Sequence, residues 1–97
     1  MNEAICQGIA ERKLLRFLYQ NSTRIVEPYC YGRTRLGTEL LRAFQISGVS
    51  RSGHPIGWRL FDAHKMSDLV ILQETFSPYR GDYQPQDPKI LVTFCRI

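Results

Sequence analysis

Rings and guanidinium groups interleave through the middle of this chain: Tyr29, Tyr31, Arg33, Arg35, Arg42, Trp58, Arg59. These residue types together hold single-stranded nucleic acid. Cations neutralise phosphates, and aromatic faces stack on bases at about 1–3 kcal/mol each. Ten of the thirteen Lys/Arg residues are arginine, whose planar fork matches phosphate and carboxylate better than a lysine point charge does. Arg42 and Arg59 stand out because apolar neighbours flank them within strand-like runs, where a bare charge is expensive to bury. Each needs solvent, a ligand, or an acid such as Glu27 or Glu39. The competing expectation for Trp58 and Tyr29 is that their rings pack inward, as most aromatics do.

Catalytic chemistry has much less behind it. His54 and His64 are the only histidines, and neither HExxH nor CxxC occurs, so no zinc site is expected. Phosphate-loop and dinucleotide-binding glycine motifs are absent. The stretch Ser50-Arg51-Ser52-Gly53-His54 holds the residue types of a nucleophile–base pair, but nothing singles it out. The expectation is a non-enzymatic protein with no cofactor and no metal.

Composition points the same way. Ninety-seven residues with 43% hydrophobic and 11% aromatic content suit one domain, 1–97, with a core of its own. No apolar run is long enough for a membrane helix and no signal peptide is visible, so a cytoplasmic address is expected. Three widely spaced cysteines, Cys6, Cys30 and Cys95, are an odd number. They read as three thiols acting as small apolar groups in a reducing compartment. The net charge of +4 is uneven: residues 1–60 hold nine basic against four acidic side chains, residues 61–97 four against five. A basic half suggests an anionic partner.

The elements that must position these residues are mostly strands. Asn2 to Ile9 suits a short helix, with Asn2 as N-cap and Ile5 and Ile9 four apart, though Gly8 weakens it. Alternation predicts strands over Arg12–Tyr19, Arg24–Tyr31, Glu39–Ser47, Trp58–Asp62 and Leu69–Phe76. In the third, Leu41 and Ala43 face one side while Leu40, Arg42, Phe44 and Ile46 face the other. Pro28 marks a bulge, an edge or a bend. Thr34 to Thr38 forms a basic hairpin loop and Gly48 to Gly57 a longer loop. Residues 77–89 are irregular, with Tyr79 and Tyr83 expected to pack on the body, and Ile90–Phe94 could add a strand at an open edge. Turn signals every eight to twelve residues predict a mainly β fold, a small barrel rather than a βαβ unit.

The run Ile9-Ala10-Glu11-Arg12-Lys13-Leu14-Leu15-Arg16-Phe17-Leu18-Tyr19 followed by Arg24-Ile25-Val26-Glu27-Pro28-Tyr29 resembles the opening of the WYL domain. So do Gly37 with Leu41-Arg42-Ala43-Phe44, the Phe61–Met66 segment and Glu74-Thr75-Phe76. The resemblance implies a five-stranded Sm-like, SH3-type barrel (residues 12–76) behind a short N-terminal helix (1–10), with 77–97 as a C-terminal extension. It also implies a regulatory, ligand-sensing role in transcription or phage defence. Its ligand would be a nucleic acid or nucleotide held by basic residues. The name-giving Trp-Tyr-Leu is here Glu39-Leu40-Leu41, Lys65 takes the family's basic position, and Asp62 stands where the family has an arginine. No helix-turn-helix fits before Arg12, so a DNA-binding regulator or effector protein would be a separate partner. The expected site is Arg42, Arg59 and Lys65 from the strands, Arg33 and Arg35 from the hairpin loop, and Tyr31 stacking. The alternative is a protein-interaction subunit or homo-oligomer assembled through a strand edge.

Overall fold

The computed structural model describes residues 1–48 and 53–97. The chain begins with a helix, α1 (Glu3–Glu11), whose start is set by Asn2: its side-chain oxygen accepts the Ala4 N–H at 3.0 Å, satisfying one of the orphan donors of the first turn. Arg12 closes the helix in the left-handed region (φ 56°), its N–H turned back to Gly8 and Ile9 carbonyls. Gly8, which helix propensity counts against the helix, lies close against the sheet. A Cβ there would lie 2.7 Å from Leu15 Cδ2.

Six strands follow: β1 (Lys13–Tyr19), β2 (Ser22–Arg33), β3 (Glu39–Ser47), β4 (Gly57–Asp62), β5 (Ser67–Thr75) and β6 (Val92–Arg96), with a 3-10 turn at Ala63–Lys65. All pairings are antiparallel. The order is β4–β3–β2–β1–β5, and β6 pairs with β2. Gln20 and Asn21 both have positive φ (50° and 62°), the two-residue turn whose twist suits a β1–β2 hairpin.

The 12-residue strand β2 is the spine. β3 runs along one edge from Ile25 to Arg33. The other edge is shared: β1 pairs with Ser22–Val26 and β6 with Cys30–Arg33. The exchange of partners coincides with a register shift against β3 between Pro28 and Cys30. Pro28 has no N–H to give a ladder, so the proline marks a bulge, one of its expected roles.

Two expectations need correcting. The sheet has six strands, and no ladder joins β4 to β5 among the described residues, so it is open rather than a closed five-stranded barrel. Ala63, Met66 and Leu69 pack against the core, so apolar side chains cover it where a closing ladder would run. The cysteines are also not three thiols: Cys6 and Cys95 form a disulfide, with Cα atoms 5.7 Å apart, and only Cys30 is free. An odd count argues against a fully paired framework but not against one bridge, and α1 lies on β6 closely enough to make it. The extra strand expected at 90–94 is present but displaced to Val92–Arg96.

Each face of the sheet carries a core. On the inner face Ile5 and Ile9 of α1 pack with Leu15, Phe17, Val26, Tyr31, Leu41, Ala43 and Phe61. On the outer face Tyr29 meets the rings of Trp58, Phe76 and Tyr83, with centroids 4.8–5.4 Å apart, and Phe44 lies edge-on to Trp58. Tyr83 comes from residues 76–91, an irregular strap laid across this face. Two ion pairs fasten it. Arg80 grips Glu27 through Nε at 2.8 Å and Nη2 at 3.2 Å, with its guanidinium 3.4 Å above the Phe44 ring. Asp87 binds Arg42. Tyr83 packs as expected, whereas Tyr79 is exposed.

Candidate functional site

Strand register decides where the sequence-selected cations go. The pairs Arg42↔Leu60 and Ala43↔Arg59 are adjacent rungs of the β3–β4 ladder. Paired residues share a face and neighbours alternate, so Arg42 lies on the outer face and Arg59 on the inner. Arg59 turns back on its own strand and loop, donating to the carbonyls of Trp58 at 2.8 Å and of His54. Arg33 lies on the inner side with Tyr31 and donates to the Thr34 carbonyl. Arg35 is exposed at the β2–β3 hairpin and Lys65 is exposed in the 3-10 turn. The six expected site residues therefore do not converge.

Tyr31 is a clear correction. Its ring is fully buried in the inner core, edge-on to Phe94. Its hydroxyl donates to Glu39 and accepts the Asn2 N–H at 2.8 Å. Burial first, then the hydrogen bond to Glu39, pushes the phenol up to about 12. A ring so enclosed cannot stack on a base.

Of the six, Arg42 lines a pocket on the outer face. This cavity of about 210 Å³ lies between the outer face and the strap, lined by Arg42, Trp58, Asp82, Tyr83, Gln84, Asp87, Pro88 and Lys89. Two other clefts, of about 350 and 410 Å³, contain none of the six. Strand β3 aims Arg42 outward, β4 supplies Trp58, and the strap supplies the rest. Trp58 and Tyr83 stack with centroids 5.9 Å apart and planes 23° from parallel. Arg42 Nε lies 2.6 Å from Asp87 Oδ2 and Nη2 3.4 Å from Oδ1, leaving Nη1 without a partner among the described residues. The indole Nε1 of Trp58 is buried with no hydrogen-bond partner, an uncommon state for a buried donor.

The charges lining the pocket balance: Arg42 and Lys89 against Asp82 and Asp87. Asp87 is held below the usual carboxylate range. Burial pushes it up, but the Arg42 hydrogen bond, the Lys89 backbone N–H and nearby positive charge outweigh that. Burial, with the neighbouring Cys30, pushes the Tyr83 phenol up to about 12. At neutral pH Asp87 is thus a carboxylate and Tyr83 a neutral phenol. The arrangement can stack a planar group and offer it donors and acceptors at the edges.

Asp82, Gln84, Asp87 and Lys89 escape the sequence reading, which offers Glu27 and Glu39 as the acids for the strand arginines. Glu27 is committed to Arg80 and Tyr29, and Glu39 to Tyr31 and the Met1 ammonium. The signal available was the strap's own sequence, an arginine, a tyrosine and an aspartate spaced along 80–87. Arg24 was missed as well. It is buried, donates to Ser22, Gln45 and the Tyr19 carbonyl, and its pKa is lowered by burial and then by Arg59. The nucleophile–base stretch at Ser50–His54 lies largely outside the described residues. Among the described residues no group of three or more His, Cys, Asp or Glu could hold a metal, and no helix is long and apolar enough to cross a membrane. No family model, curated protein or solved structure matches the chain.

Proposed function

We propose that this chain is a non-enzymatic ligand-sensing module, akin to WYL domains and their Sm-like folds. It binds a phosphate-bearing ligand, a nucleotide or the end of a nucleic-acid single strand, in the outer-face pocket. The base lies against Trp58 and Tyr83, and Arg42 Nη1 with Lys89 meets the phosphate. The observation that carries this reading is the unpartnered Trp58 Nε1–H of a pocket residue stacked on a second ring and lying beside a guanidinium with a spare N–H. A binding role is favoured over acid–base catalysis because neither Tyr83 nor Asp87 is moved toward neutrality, where a general catalyst works best. The β4–β3–β2–β1–β5 order with a 3-10 turn between β4 and β5 supports the Sm-like kinship. A cytoplasmic setting, as part of a regulatory or phage-defence complex, belongs to the same proposal.

Trp58 is the only tryptophan, so its emission reports the pocket directly. Titration with nucleoside monophosphates and short homopolymeric single strands should give a saturable change that weakens as salt rises and is lost in Arg42→Gln. A flat titration at low salt overturns the reading. A second reading, association through a sheet edge, rests on β6, which among the described residues pairs with β2 alone and exposes Val92, with Leu91 exposed just before it. Concentration-dependent light scattering separates the two.

A further inference from the structure

Residues 82–89 provide six of the eight side chains lining the pocket, and β6 follows them almost at once. The far end of this segment is fixed in three ways. The Leu91 N–H donates to the Arg33 carbonyl at 2.9 Å and the Ile97 N–H to the Tyr29 carbonyl at 2.8 Å, on either side of a short ladder to β2. The third attachment is covalent: Cys95 is bonded to Cys6 of α1. Both of these cysteines are only half-buried, whereas Cys30 is buried and its thiol is pushed up by burial. The rungs Cys30↔Arg96 and Tyr31↔Cys95 put Cys30 on the opposite face from Cys95, so the bridge cannot reshuffle onto it without β6 leaving the sheet.

We infer that Cys6–Cys95 is a thiol-exchange site for a small thiol of the glutathione class, and that its redox state sets how firmly the pocket wall is held. A thiolate attacks one of the two sulfurs, the S–S bond breaks, and a mixed disulfide forms with one protein thiolate as leaving group. A second thiolate attacks the small thiol's sulfur in that mixed disulfide. It releases the oxidised small-molecule disulfide and the second protein thiolate. Two electrons pass from two thiols to the protein, whose sulfurs end protonated. The reduced protein keeps its inner core and its strap ion pairs but loses the covalent link from α1 to β6. The wall itself is independent of the ligand reading. Only the consequence for binding rests on it.

The test uses the full chain equilibrated in glutathione buffers of graded ratio, with alkylation and mass measurement. Two thiols should titrate together, with Cys30 labelled only after denaturation. Hydrogen exchange should then show amides of residues 82–96 accelerated in the reduced protein about tenfold or more beyond any acceleration in β1 and β3. The double variant Cys6→Ala, Cys95→Ala should reproduce the reduced pattern. A bridge that never forms in oxidised glutathione overturns the inference. So does one that survives excess reduced glutathione, unaltered exchange, or uniform acceleration over the whole chain. A Trp58 titration in both redox states then reports on ligand binding separately. Faster wall exchange with no ligand response would retire the proposed function and leave the redox site standing.

Discussion

Arg42 and Asp87 show how a residue can be correctly singled out for an incomplete reason. A mid-strand arginine between apolar neighbours demands a partner, and the sequence makes that demand legible. The partner lies 45 positions away on a segment without regular structure, which no local pattern reveals. Asp87→Asn should cost about 1–3 kcal/mol, because it leaves a partly desolvated guanidinium facing a neutral group. Urea unfolding measures it. Tyr31→Phe should cost about 1–2 kcal/mol, by stranding the Asn2 N–H and removing a donor from Glu39, and it should leave ligand titrations of Trp58 unchanged. The sequence favoured Tyr31 for stacking because strand parity fixes alternation but not which side becomes the inside. The helix decides that, by laying Ile5 and Ile9 over Tyr31's face.

Among the elements, the strands were the most legible. The reading of β3 matches at both ends, since Glu39–Ser47 alternates cleanly and turn residues bound it. β2 extends further at both ends than its composition suggests, because two different partners supply ladder bonds along one of its edges. The single disulfide was hidden, because it depends on α1 crossing β6, a fact of packing. Its reduction removes a closure of 89 residues and should lower stability by about 2–4 kcal/mol, usually less than the 5–15 kcal/mol a domain holds. At Gly32, β2 and β6 leave no room for a side chain. A Cβ there would lie 2.1 Å from the Val92 carbonyl oxygen and 3.0 Å from Thr93 Cα. The Ile90 side chain, with Cγ2 at 2.5 Å, can move aside, but the carbonyl oxygen is backbone and cannot swing away. Gly32→Ala should therefore displace β6 and cost about 1–3 kcal/mol or more. A parallel loss of exchange protection across residues 90–96 would confirm that the cost arises there.

For the molecule as a whole, the radius of gyration of 12.2 Å is close to the roughly 12.5 Å expected of a compact chain this long, so the strap is part of the body. Charge sets its pH range. Asp87 and Glu39 both titrate below their ordinary values in the folded state. Their contribution is present above the unfolded carboxylate range, near pH 4, and is lost as pH falls through the folded values. Tyr31 and Tyr83 are raised to about 12. Their contribution is intact below the unfolded value near 10 and is lost as pH climbs through 12. Circular dichroism from pH 2 to 12 should show a broad plateau with both limbs, and Asp87→Asn should shrink only the acid one. Register sends Arg42 and Arg59 of the basic half to opposite faces of the sheet, so these two do not share one face.

The shared edge of β2 also sets an order of events. The β1–β2–β3 meander is built from neighbours in sequence and can form early. The second half of that edge stays vacant until a segment some sixty residues downstream arrives. Loop-closure entropy makes such late arrivals slow. Substitutions in β6 and the strap should therefore speed unfolding while leaving the refolding rate nearly untouched, and those in the meander should do the reverse.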